Sequence, residues 1–233
     1  MDALPPNFVV TREALRALCC YVVAPARKSR TGRIGLRPYD GAIATPPFDD
    51  GTRLVVRGGR IGVEPGTDTA ITTLRDAAAF VGIDLRADPG VGEDLPPFAP
   101  DDELAVDPAA SVALGAWYGF GQRLLDDLRA AMPHVEMSEA QLWPEHFDLA
   151  VTVGGTADRG AANVGCSPGD AFHDEPYVYV GPHDTTDLAD DIWNAPFGAV
   201  LSRGDLAEAQ DPAAVALAFV RRCLDALNRR GER

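Results

Sequence analysis

The chain has 233 residues, 46% of them hydrophobic and 24% charged, enough to bury a sizeable core as one domain or as two small ones. A net charge of −14 argues against general binding to nucleic acid or to anionic membranes. No run of eighteen apolar residues is present, so a membrane span is excluded, and Met1–Pro6 lacks the basic start and apolar core of a signal peptide. A cytoplasmic protein is expected.

Thr11 is placed to cap a helix from Arg12, with Leu15, Leu18, Cys19 and Val22 on one face and an end before Pro25. From Arg33 to Glu64 the period changes. Ile34–Leu36, Ala42–Ala44, Leu54–Val56 and Ile61–Val63 are short β-like runs, and Gly58-Gly59 predicts a tight hairpin between the last two. A second helix is predicted over Thr69–Val81. Residues 87–107 form an acidic connection rich in Pro and Gly. Asp107-Pro108 then signals a helix start, with Asp as cap and Pro in the first turn. That helix runs to about Met132 on a stripe of Trp117, Phe120, Leu124 and Leu128; its glycines 115, 119 and 121 suggest close contact with another element.

Phe147–Val153 alternates and ends at Gly154-Gly155, so it reads as a strand. Ala162–Val164, Tyr177–Val180 and Phe197–Leu201 are further strands, and Tyr177 and Tyr179 share a face. Asp211-Pro212 starts a last helix to about Asn228, with Val215 or Ala216, Phe219, Val220, Cys223, Leu224 and Leu227 as its stripe. Helices and strands come in blocks, which predicts an α+β fold: antiparallel sheet covered by helices, one compact domain over residues 1–233, with a helix–strands–helix plan in each half. The strands Phe147–Val153 and Tyr177–Val180 are expected to be neighbours.

Charge is unevenly spread. Ala26–Arg60 holds eight basic residues (Arg27, Lys28, Arg30, Arg33, Arg37, Arg53, Arg57 and Arg60) against three acids, and Asp84–Asp107 holds eight acids against Arg86. Two solvated patches explain this; an anion site on the arginines is the sharper alternative. The acidic segment is expected either to be mobile or to dock on those arginines, with Phe98 and Leu104 holding it more than charge does. The four cysteines include no C-x-x-C pair, so a zinc knuckle is not expected. Cys19 and Cys223 read as buried thiols on helical stripes and Cys166 as a partly buried loop thiol.

All four histidines fall between His134 and His183, which makes this stretch the place to look for chemistry. Gly165-Cys166-Ser167-Pro168-Gly169 matches G-x-S-x-G, but Pro168 follows the serine and no helix is predicted after it, so a turn is the better reading than a nucleophile elbow. His146 with Asp148, and His173 with Glu175, are spaced two apart, and extended backbone would give each pair a shared face. Two imidazoles and two carboxylates together would suit a divalent metal, zinc or ferrous iron. Trp143, Phe147, Tyr177, Tyr179 and Trp193 are candidate lining for a small-ligand pocket. The expected function is therefore small-molecule binding near residues 141–183 without assignable catalysis. The alternative is a metal-dependent hydrolytic enzyme using the His/Asp/Glu cluster.

The run Gln141–Ala150, with Trp143, Phe147 and Asp148, resembles an uncharacterised bacterial family of domains of unknown function that carries a phrase like F-W-G-S-F-D-L-A. Gly165–Gly169 and Glu175–Tyr179 are similar to later phrases of that family. The similarity is specific from Gln141 to Tyr179 and elsewhere lies in layout alone. It implies a compact α+β domain and brings no activity with it.

Overall fold

The computed structural model describes residues 1–154, 160–186, 188 and 191–231; Gly155 lies outside them. The fold is α+β, with antiparallel sheets, as the block pattern predicts. The chain divides into two compact units. Ala3–Gly119 and Gln141–Asp148 form the first; Met1–Asp2, Phe120–Ala140 and Leu149–Arg233 form the second.

The first unit opens with helix α1 (Phe8–Leu18), a π-helical turn (Cys19–Val23) and helix α2 (Ala24–Thr31). The helix thus starts earlier than expected and does not stop at Pro25. In the π-helical turn the Ala24 amide donates to the Cys19 carbonyl five residues back, shifting the ladder just before the proline. Pro25 then falls in the first turn of α2, where its missing N–H is not needed. Gly32, at φ 73°, closes α2 in the left-handed conformation. Thr11 does not cap a helix; its hydroxyl accepts from the Asp107 amide at 3.0 Å.

The first sheet runs in chain order: β1 (Arg37–Tyr39), β2 (Ala42–Ala44), β3 (Arg53–Arg57), β4 (Arg60–Glu64) and β5 (Asp68–Ala70), each antiparallel to the next. The predicted hairpin is present, with Gly58 and Gly59 at φ 56° and 80°, the left-handed pair that a two-residue turn requires. Two boundaries differ from expectation. The expected strand Ile34–Leu36 is displaced to β1, and Leu36 instead bridges Leu142. Thr69 and Ala70, read as the start of a helix, instead pair with β4, and helix α3 begins only at Leu74 (Leu74–Val81), where the Thr73 side chain accepts from the Asp76 amide at 3.0 Å.

The acidic segment is seated on this unit. It does not meet the arginines of residues 27–60. Arg16 donates to the Asp94 carbonyl at 2.7 Å, Tyr21 to the Pro96 carbonyl at 2.5 Å, and Arg75 to both carboxylate oxygens of Asp101. Among the described basic residues of 27–60, Lys28 alone hydrogen-bonds to it, at the Gly90 carbonyl. Phe98 packs against Tyr21 at 5.2 Å between ring centres. Helix α4 (Pro108–Ala131) follows, capped by Asp107, which accepts from the Ala110 amide at 2.8 Å. Its predicted stripe is buried. Gly115 and Gly121 make the close contacts expected of them: a Cβ on Gly115 would strike the Gly41 carbonyl, and one on Gly121 would lie 2.9 Å from Cys166.

Strand β6 (Gln141–Trp143), not predicted as a strand, belongs to the first unit by its Leu142–Leu36 bridge. The second sheet holds, in order, β10, β9, β8 and β7, with β7 Asp148–Val153, β8 Ala162–Ser167, β9 Tyr177–Pro182 and β10 Ala199–Ser202. The expectation that β7 and β9 are neighbours is corrected: β8 lies between them, because each short connection pairs a strand with the one before it. Helix α5 (Arg203–Glu208) starts in a reciprocal Ser202–Asp205 capping box. Helix α6 (Pro212–Gly231) packs on β9 and β10 and buries Ala216, Val220, Cys223, Leu224 and Leu227; Val215 is exposed. Among the described residues no helix is long and apolar enough to cross a membrane.

Candidate ligand-binding face

Strand β9 alternates, so its valines and tyrosines take opposite faces. Val178 and Val180 are fully buried; Tyr177 is 3% exposed and Tyr179 half-buried. On β8, Gly165 is the register partner of Tyr179, and a Cβ there would lie 2.8 Å from that ring, so the bare glycine makes room for the tyrosine. Phe197, on the turn before β10, lies 6.4 Å from both tyrosine rings, and Phe172 lies 5.1 Å from Phe197 in an edge-to-face arrangement. Phe172 is 45% exposed, so this aromatic cluster reaches solvent on one side.

Asp170 organises the loop over this face. One carboxylate oxygen accepts from the amides of Phe172 and His173 at 2.8 and 3.2 Å, and the other accepts from the Tyr177 hydroxyl at 2.6 Å. The His173 ring lies 6.1 Å from the Tyr177 ring, and its Nε2 is buried with no hydrogen-bond partner among the described residues. Buried polar atoms are seldom left so, since an unmade hydrogen bond costs about 1–3 kcal/mol. Phe172 and Phe197 were not among the candidates read from sequence, and the loop-organising role of Asp170 was not foreseen. The signal for Asp170 was available: an aspartate directly after Gly169, where its short side chain turns back onto amides two and three residues ahead.

The other candidates fall in different settings. Residues 144–147 form a turn in which Phe147 takes φ 55° and donates its amide to the Trp143 carbonyl at 2.7 Å. The strand therefore begins at Asp148, not Phe147, and His146 is not on it. The shared face expected for His146 and Asp148 is absent; His146 is exposed and Asp148 buried. His173 and Glu175 likewise sit on an irregular loop, not on extended strand. Among the described residues no three His, Cys, Asp or Glu side chains are placed to hold a metal ion. Phe147 is 1% exposed, its ring edge-to-face with Tyr118 at 5.8 Å and its carbonyl accepting from the Tyr118 hydroxyl. Trp143 and Trp193 are half-buried.

The nucleophile-elbow reading of Ser167 gains no support. Ser167 ends β8, its Oγ accepts from the Gly169 amide at 3.2 Å, and residues 168–176 form no helix. Cys166 is fully buried within β8 and is not a loop thiol. All four cysteines are free and buried. Burial pushes Cys20 and Cys223 each up to about 12 and Cys19 well above its ordinary value, so these three remain thiols at neutral pH. Comparison with protein-family models, with curated proteins and with solved structures finds no match for the chain.

Proposed function

We propose that this is a cytoplasmic small-molecule-binding protein whose ligand sits against the Tyr177–Tyr179 face of β9, under the 168–176 loop. The observation that carries the reading is His173 Nε2, a buried nitrogen without a partner among the described residues, beside aromatic rings that reach solvent. Such a place suits a flat apolar molecule with one N–H or O–H group: the rings take the apolar surface and the imidazole takes the hydrogen bond. Four buried free thiols accord with a reducing compartment. The phrases at Gln141–Ala150 and Gly165–Tyr179 associate the chain with the bacterial family it resembles, without lending it an activity.

Titration with indole, read by protein-detected NMR, tests the reading. Saturable shifts are expected at His173, Tyr177, Tyr179 and Phe197. His173→Phe keeps the aromatic area and removes the acceptor, so it should weaken indole binding about fivefold while leaving toluene, which has no donor, unaffected. Absence of saturable shifts, or equal indole binding by His173→Phe, would overturn it. The same nitrogen also serves a second reading, in which His173 and Glu175 help hold a divalent metal. Stoichiometric metal in the purified protein, lost in His173→Ala, would favour that reading.

A further inference from the structure

The arginine-rich segment separates into two groups once its partners are assigned. Lys28 donates to the Gly90 carbonyl, Arg30 pairs with Asp50 and lies over the Phe48 ring, and Arg53 lies over Tyr39. Arg57 pairs with Asp40 and Glu64, and Arg60 with Asp68. The remaining three, Arg27, Arg33 and Arg37, have no ion-pair partner among the described residues, and they come from consecutive pieces of chain: the middle of α2, the residue after its Gly32 cap, and the first residue of β1.

Arg27 is the unusual member. It is only 8% exposed, yet its guanidinium makes neither an ion pair nor a hydrogen bond among the described residues. Arg12 provides the contrast: it is 4% exposed and donates to Glu13 at 2.8 Å. The Arg27 guanidinium lies beside Gly35, with Nη1 3.4 Å from where a Cβ would stand, and the Gln141 side-chain amide crowds the same point. Gly35 does not have the left-handed backbone that demands glycine; it is the space that a side chain would fill. The Gln141 amide also makes no hydrogen bond among the described residues. Burial, then the positive charges of Arg33 and Arg37, lower the affinity of Arg27 for its proton. A mostly covered cation with no ionic partner among the described residues, and with two more cations nearby, is a destabilising arrangement unless something negative completes it.

We propose that Arg27, Arg33, Arg37 and Gln141 form a binding site for a compact oxyanion, the phosphoryl or carboxylate group of a small molecule. Guanidinium groups match either oxyanion with paired donors; Gln141, whose Oε1 lies beside Arg27 and Gly35, has its amide N–H group left to turn toward the anion. The exposed Arg33 and Arg37 form the mouth and the buried Arg27 the floor.

The test is isothermal titration of the full chain with inorganic phosphate and, separately, with citrate, both against sodium chloride of matched ionic strength. Saturable binding of at least one anion is expected. The tighter of the two identifies the group, phosphoryl or carboxylate. Arg27→Gln should weaken that binding at least tenfold while raising the melting temperature of the free protein, because the uncompensated charge is gone. Should Arg27→Gln fail to fold, the double variant Arg33→Gln/Arg37→Gln, altered only at exposed positions, should lose at least tenfold by itself. Binding no stronger than in chloride, or full binding by the variants, would overturn the proposal.

Discussion

Two aromatic groups in this protein look alike in sequence and differ in what surrounds them. Tyr118 and Phe147 pack edge to face, fully buried, with the tyrosine hydroxyl satisfied by the Phe147 carbonyl. Phe172, Tyr177, Tyr179 and Phe197 also pack edge to face, but Phe172 stands 45% exposed and a neighbouring imidazole nitrogen lacks a partner among the described residues. The first group is complete as it stands. The second leaves both apolar surface and a polar atom unsatisfied, and incompleteness of that kind separates a binding face from a core.

The largest effect should come from the completed group. Phe147→Ala is expected to destabilise by roughly 3–5 kcal/mol in denaturant unfolding, since it opens a cavity and removes a ring contact. A cost under about 1 kcal/mol would mean that Phe147 is not core. Next come the buried thiols, which belong with the core. Cys20 and Cys223 hold their protons more tightly when folded than at the ordinary value of 9.0. Their contribution is fully present below pH 9 and is lost as pH rises from 9 toward about 12, because there the unfolded chain has released a proton that the folded one keeps. Each unit in that window should remove up to about 1.4 kcal/mol per thiol. Urea midpoints between pH 8 and 11 check this, and Cys223→Ala should flatten the slope. Tyr177→Phe, which removes the hydrogen bond to Asp170, should cost about 1 kcal/mol. Smallest is Phe172→Ala, expected to cost under about 1 kcal/mol because the ring is largely solvated, while weakening indole binding clearly. A stability loss as large as that of Phe147→Ala would erase the distinction between the groups.

Local chemistry was legible in the sequence where one or two residues decide it. Asp107-Pro108, Asp211-Pro212 and Gly58-Gly59 fix a helix start or a turn without help from distant chain, and each is found where it was read. Elements set by distant partners were not legible. Leu36 is drawn to Leu142 and residues 68–70 to β4, overriding the local periodicity of Ile34–Leu36 and Thr69–Val81. The π-helical turn shifts the hydrogen-bond ladder by one residue, so Pro25 no longer ends the helix. In the candidate face, the tyrosine alternation on β9 was readable from period two. Phe172, Phe197 and Asp170 were not, because a loop and a turn bring them to that strand. The single positive φ at Phe147 is what separates His146 from the strand and removes its expected pairing with Asp148.

The most direct measurement is the nitrogen spectrum of the His173 ring, recorded by long-range ¹H–¹⁵N correlation during an indole titration. In the free protein Nε2 should resonate as a nitrogen without a hydrogen bond, and it should move progressively to a saturated position while the His134, His146 and His183 rings stay unchanged. An Nε2 already hydrogen-bonded in the free protein, or one that indole leaves in place, would contradict the binding face.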